Sequence, residues 1–197
     1  NPPENFMADN YKIAIVGSGP GGMSAAIEAA ALGVPHILFE ATDHLSNTLY
    51  RYYQKGKFVE DNPKEIDLQS GLRDKVGFVA GTREEILDEW NRGIGDTQVN
   101  VEYNAEIVSV SGERGAFVLK TSSGATYHAE TVVLGIGMQG NPRKLGVDGQ
   151  DLPFVKPYLE DASEHEGKNI VVVGAGNAAI EDAVALAPNN TTYIVNR

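Results

Sequence analysis

Two glycine-rich turns of one design constrain this chain more than any other feature. Ile13-Ala14-Ile15-Val16 runs into Gly17-Ser18-Gly19-Pro20-Gly21-Gly22, and Ile170-Val171-Val172-Val173 runs into Gly174-Ala175-Gly176-Asn177-Ala178-Ala179. Each is an apolar strand, then G-x-G-x-x-G/A, then an alanine-rich helical stretch. The first glycine permits the tight turn, the second lets backbone N–H groups approach a pyrophosphate, and the third position must be small for helix and strand to pack. The helix start then offers unpaired N–H groups and a partial positive charge to the phosphates. Continuous apolar strands suit a parallel sheet buried on both faces. One such turn predicts one dinucleotide; two in tandem predict two held face to face, an arrangement suited to electron transfer.

The ends of the second strands add chemistry. His36-Ile37-Leu38-Phe39 leads to Glu40, 23 positions after Gly17, close to where a carboxylate binds a ribose hydroxyl. Thr192-Tyr193-Ile194-Val195 leads to Asn196 and Arg197, again 23 positions after Gly174. A carboxylate there repels a ribose 2′-phosphate and an arginine pairs with it. Unit one is therefore expected to bind the ADP half of FAD, and unit two to take NADPH, with NADH as the alternative. A solvated Glu40 at a strand end and a solvated terminal Arg197 are the plain readings beside these.

Net charge is −11, and no basic cluster interrupts it, which argues against nucleic acid and anionic membranes as partners. No apolar run approaches a membrane span, and no signal peptide is visible. A cytoplasmic location is the default. The chain has no cysteine, so it contains no disulfide, thiolate zinc site, cysteine nucleophile or C-x-x-C pair. Its four histidines (His36, His44, His128, His165) have no ligand-like spacing, and no metal site is expected.

Along the chain, residues 1–10 read as a disordered tail or an expression remnant. Lys12 to Val16 is the first strand, Met23 to Leu32 the first helix with Gly33 as its stop, and His36 to Glu40 the second strand. Residues 41–80 read as irregular; Tyr50, Tyr52 and Tyr53 there either cover a flavin ring or line an interface. Thr82-Arg83-Glu84-Glu85 is a capping box opening a helix that carries Ile86, Leu87 and Trp90 on one face and ends near Gly93. Val99 to Tyr103 reads as a strand. Three hairpin-like segments follow, Ala105 to Val110, Ala116 to Thr121 and Ala125 to Ala129, as a meander before the strand Thr131 to Leu134. Gly135-Ile136-Gly137 and Gly140-Asn141-Pro142 come next, either a close approach of backbone to cofactor or a simple turn. Residues 141–168 are rich in Pro, Gly and charge and read as a link.

With those residues in view, the chain resembles the two-dinucleotide-binding flavoproteins, the pyridine nucleotide-disulfide oxidoreductases of thioredoxin-reductase-like type. The resemblance runs from about Lys12 to Arg197. It rests on Gly17 to Gly22 with Glu40, on the meander, on Thr131 to Gly137 (similar to the family's second flavin motif), and on Gly174-x-Gly176-x-x-Ala179-x-Glu181, similar to its NADPH turn. It implies a Rossmann-like α/β fold with a parallel sheet and inserted meander. Residues 11–140 would be the first segment of a flavin domain and 169–197 the start of an NAD(P)H domain. It also implies that the Ile107 backbone contacts the adenine of FAD. Asn47-Thr48-Leu49-Tyr50 and Gly140-Asn141-Pro142 look closest to the bacillithiol-disulfide-reductase-like and flavin monooxygenase-like branches.

The departures concern sulfur and length. Where thioredoxin reductases carry C-x-x-C, this chain reads Phe154 to Ser163; where glutathione-reductase-type enzymes carry their cysteine pair, it reads Leu45 to Thr48. Gly21 stands where bacillithiol-type enzymes place a cysteine. The family's last flavin segment, which follows the NADPH domain, is not among these residues. The expectation is a flavin-dependent NAD(P)H oxidoreductase passing electrons from NADPH through FAD to an unidentified small-molecule or protein acceptor. No residue is assigned as acid, base or nucleophile. A homodimer is possible. The alternatives are a non-catalytic dinucleotide-binding module for redox sensing or docking, and a disulfide reductase whose cysteines lie elsewhere.

Overall fold

A computed structural model describes residues 10–60, 80–140 and 144–196. Its centre is a six-stranded mixed sheet. The strands are β1 (Asn10–Val16), β2 (His36–Phe39), β5 (Val101–Glu102), β6 (Ile107–Ser111), β7 (Phe117–Thr121) and β8 (Thr126–Leu134), in the order β5-β2-β1-β8-β7-β6. The β1–β2, β2–β5 and β1–β8 pairs are parallel, and β6–β7 and β7–β8 are antiparallel. Parallel strands covered on both faces need apolar side chains on both, and Ala14, Ile15, Ile37, Leu38 and Phe39 are all buried.

Helix α1 (Pro20–Ala31) carries the chain from β1 to β2. It buries Met23 and Ile27 with Leu45, Leu49, Ile86, Leu87, Trp90 and Ile94. The last four come from α3 (Arg83–Asp96). Ala14, Val16, Ile37 and Phe39 line a second cluster with Leu119 and Ala129, in which Phe39 meets Tyr127 edge to face at 4.7 Å. The meander therefore contributes to the core beneath the parallel strands.

The meander and the 41–80 stretch differ from the sequence reading. The third meander segment and the strand after it form one continuous strand, β8. No turn residue separates Ala129 from Thr131. One end of β8 pairs with β7 and the other with β1 through Ile13↔Thr131 and Val16↔Leu134. The stretch read as irregular from 41 to 80 contains α2 (Asn47–Tyr52) and β3 (Phe58–Val59), which pairs with β4 (Gly81–Thr82). One helical turn and a half is too short for a periodic signal, and Leu49 alone is buried on it.

The capping box is present. Glu85 N donates to Thr82 Oγ1 at 3.3 Å, and Thr82 N donates to Glu85 Oε2 at 2.8 Å. Helix α3 continues one turn past the expected stop because Gly93 is a buried helical residue, not a cap. Thr82→Ala is expected to cost about 1 kcal/mol in urea unfolding with little change in slope.

The last unit is β9 (Asn169–Val173), α4 (Asn177–Leu186) and β10 (Thr191–Val195), with the two strands parallel. Two strands and one helix cannot enclose a sheet, so Val171, Val173, Ile194 and Val195 stand exposed. The chain reaches this unit through a short 3-10 turn at Ala162–Glu164.

Candidate functional site

The two glycine turns repeat one geometry. Gly17 has φ +94° and donates its N–H to Phe39 O at 2.8 Å; Gly174 has φ +129° and donates to Val195 O at 2.8 Å. Each turn is thus pinned by the carbonyl that ends the neighbouring strand. A side chain at either position is strained by the backbone alone.

The first turn is the tighter. A Cβ on Gly22 would run into Gly17 O, a Cβ on Gly17 would lie 2.6 Å from Gly135 O, and a Cβ on Gly135 would lie 2.9 Å from Gly22 N. Gly135 N donates to Val16 O at 2.8 Å, so the end of β8 is locked against the turn. Gly135 belongs to this backbone junction, whereas Gly137, at φ +63°, has open space around it. In the second turn a Cβ on Gly174 would meet Ala179 Cβ at 3.5 Å, an ordinary contact.

The helix starts have the character of anion sites. Gly19 is the N-cap of α1 and Gly176 that of α4; neither helix has a side-chain cap or an acidic residue in its first turn. Pro20 opens α1 with a fixed φ where no N–H is needed. Helix α3, by contrast, is capped by Thr82 and has Glu84 and Glu85 in its first turn. A Cβ direction at Gly21 or at Gly176 meets nothing within 4 Å. Asn177 and Ala178 begin α4 beside this opening. Free N–H groups, no competing acid and open space fit a pyrophosphate.

Glu40 is where the structure adds most. It is 5% exposed, and its carboxylate accepts four hydrogen bonds from the chain. Ser18 N donates to Oε2 at 3.2 Å, and the Ser18 hydroxyl also donates to Oε2. Thr42 N and Thr42 Oγ1 both donate to Oε1 at 2.9 Å. Ser46, at φ +55°, donates its N–H to Ser18 Oγ and its hydroxyl to Ser18 O, each at 3.0 Å. The acid therefore ties the glycine turn to the loop after β2. Ser18, Thr42 and Ser46 were not singled out from the sequence. The signal was slight: a hydroxyl inside the turn and another two residues past the acid.

Around this knot, Ala105 N donates to Glu40 O and Asn104 N to Thr42 O, which fastens the start of the meander to the same loop. Burial, with the Glu40 charge as a second cause, pushes the Tyr103 hydroxyl above its ordinary pKa. Ile107 opens β6, pairs with Thr121, and stands at a register shift in that ladder. His44 stacks on Tyr50 with ring centroids 3.8 Å apart, beside α2.

Glu181 pairs with a lysine of the first unit. Its carboxylate pairs with Lys57 Nζ at 2.6 Å, and Lys57 lies over the Tyr53 ring at 4.4 Å. Burial raises the pKa of the adjacent Asp182, opposed by Lys57 and assisted by Glu181. Lys55 pairs with Asp161 at 2.8 Å, and together with Ser163 it holds that carboxyl well below the usual range. Of the three tyrosines, Tyr53 packs against the cluster around Met23 and Trp90, and Tyr52 meets Tyr158 of the link edge to face at 5.1 Å. Arg197, Asn141 and Pro142 lie outside the described residues. Among the described residues, no cluster suited to a metal ion occurs and no helix is long and apolar enough to cross a membrane.

Comparison with known proteins agrees with this architecture. The sequence model of the family described as "Pyridine nucleotide-disulphide oxidoreductase" matches residues 14–197. A ferredoxin–NADP reductase of Ignicoccus hospitalis is 31% identical over 184 residues, covering 92% of this chain and 54% of that protein. The chain thus spans about half the length of the curated relatives it matches. Among solved structures, a bacillithiol disulfide reductase of Staphylococcus aureus superposes with TM-score 0.79 at 21% identity, over 95% of this chain and 57% of that one. A flavin monooxygenase of Stenotrophomonas maltophilia gives TM-score 0.72 at 14% identity, over 96% and 58%. At those identities the structures establish the Rossmann-like fold. With the family match across both glycine turns and the meander, the chain belongs to the pyridine nucleotide-disulphide oxidoreductase family.

Proposed function

We propose that this chain is the flavin-binding segment and the beginning of the pyridine-nucleotide segment of an FAD-dependent NAD(P)H oxidoreductase. Residues 11–140 form the first part and residues 169–197 the start of the second. The observation that carries the reading is the uncapped, acid-free start of α1 behind a turn closed by Gly17, Gly22 and Gly135. Gly19, Pro20 and Gly21 present that helix start to the pyrophosphate of FAD, with Glu40 nearby for the ribose and the Ile107 backbone for the adenine. Gly174, Gly176 and the Asn177-Ala178-Ala179 start of α4 do the same for NADPH. The expected preference for NADPH over NADH rests on Arg197 and its affinity for a 2′-phosphate.

Bound at the first turn, FAD would supply hydride-acceptor and electron-transfer chemistry toward a reduced nicotinamide held at the second. This chain's residues bind and orient; none is placed as an acid, base or nucleophile. The 197 residues hold no cysteine, so they form no dithiol relay. Several relatives carry the name ferredoxin–NADP reductase. Both facts favour a one-electron iron–sulfur protein as acceptor over a disulfide.

The test is the visible spectrum of the purified protein with FAD, before and after anaerobic NADPH. A bound flavin that bleaches is expected, faster with NADPH than with NADH. Repeated on a chain spanning the relatives' full length, a bound flavin that stays oxidised would replace the reading with a binding module, and no binding of FAD would overturn it.

A further inference from the structure

The Glu40 carboxylate has four lone-pair positions, and the chain itself fills all four. A ribose hydroxyl can reach this acid only by replacing one of those donors. Two donors are backbone N–H groups fixed by the fold. The other two are hydroxyls, and they differ in how freely they can leave.

Ser18 is fully buried, and its oxygen also accepts the Ser46 N–H. No second acceptor for its own proton is within reach among the described contacts. Thr42 is only part-buried, and its Oγ1 lies 2.9 Å from Glu40 Oε1 and also 2.9 Å from His44 O. A threonine hydroxyl has one proton, so it can serve one of these acceptors at a time. The second acceptor is already in place. Turning from Glu40 to the His44 carbonyl leaves no buried donor unpaired, while Thr42 N keeps its bond to Oε1.

We propose that Thr42 is a positioning residue that caps Glu40 Oε1 when the first turn is empty and yields that oxygen to a ribose hydroxyl, transferring its own hydrogen bond to the His44 carbonyl. The inference rests on the reading of the first turn as a dinucleotide site. Binding is then hydroxyl for hydroxyl at one face of the carboxylate, with Ser18 holding the other. Thr42 competes with the ribose, so the affinity for an adenosine ligand is set below what Glu40 alone would give.

The experiment measures FAD binding to flavin-free protein by flavin fluorescence, and displacement of FAD by ADP and by 2′,3′-dideoxy-ADP. Thr42→Val keeps the shape and removes the proton; Thr42→Ser keeps the proton. Thr42→Val is expected to bind FAD about five-fold more tightly, the order of the difference between a hydrogen bond to a charged acceptor and one to a neutral carbonyl. Thr42→Ser is expected to match the wild type, and ADP to displace FAD better than the dideoxy analogue does. If ADP wins but Thr42→Val binds FAD equally or more weakly, the exchange is wrong and the ribose reading stands. If the two nucleotides compete equally, or the wild type takes up no FAD, the ribose reading of the first turn fails and the exchange with it.

Discussion

Gly22→Ala is expected to lower the stability of the protein, measured without added nucleotide, by about 3 kcal/mol. The sign is the informative part. Alanine at a helical glycine ordinarily stabilises by about 1 kcal/mol, because glycine loses more backbone entropy on folding. Here the added Cβ meets Gly17 O, a backbone atom pinned by the Gly17 N–H to Phe39 O bond. Neither partner can rotate away, so helix α1 must shift from β1. Gly135→Ala should act alike, since its Cβ would press on Gly22 N and Cα from the other side at 2.9 Å. Gly21→Ala is the control: nothing lies within 4 Å, so stability should be unchanged or rise by up to about 1 kcal/mol. Urea unfolding of the three variants checks this. Equal behaviour of Gly21→Ala and Gly22→Ala would mean that the turn is not closed as described.

Glu40→Gln should cost about 3 kcal/mol, again without nucleotide present. An acid that only binds ribose could be amidated with little effect on the empty protein. Glu40 instead accepts from two backbone N–H groups, Ser18 N and Thr42 N, on opposite oxygens. Glutamine supplies one oxygen, so its NH2 group must face one of these donors. The Thr42 hydroxyl can turn to the His44 carbonyl; a backbone N–H cannot turn. One buried donor is left unpaired, against an amide proton. Thermal and urea unfolding read the loss directly, and a change below about 0.5 kcal/mol would show that the carboxylate does not hold the turn.

The sequence carried most of the frame for reasons of local chemistry. An apolar strand, a glycine turn and an alanine-rich helix can be recognised because φ > 0 and close backbone approach admit almost only glycine. The Thr82–Glu85 box could be read because its partners are three residues apart. Where the reading slipped, the deciding contacts lay far along the chain. Whether Thr126 to Leu134 is one strand depends on two different neighbours, β7 and β1, taking its two ends. Helix α2 exists because Leu49 finds the pocket among Met23, Ile86 and Trp90, not because its six residues favour helix.

The candidate site divides the same way. Two dinucleotide-type turns in tandem, an acid after the first and no thiol beside them can all be read from residue type and short spacing. What the acid does depends on contacts that the fold assembles. Ser18 reaches Glu40 from the glycine turn and Thr42 from the loop after β2, Ser46 holds Ser18 in turn, and Glu181 finds Lys57 in another unit. A carboxylate's role is set by which donors reach its lone pairs, and those donors are brought by the fold.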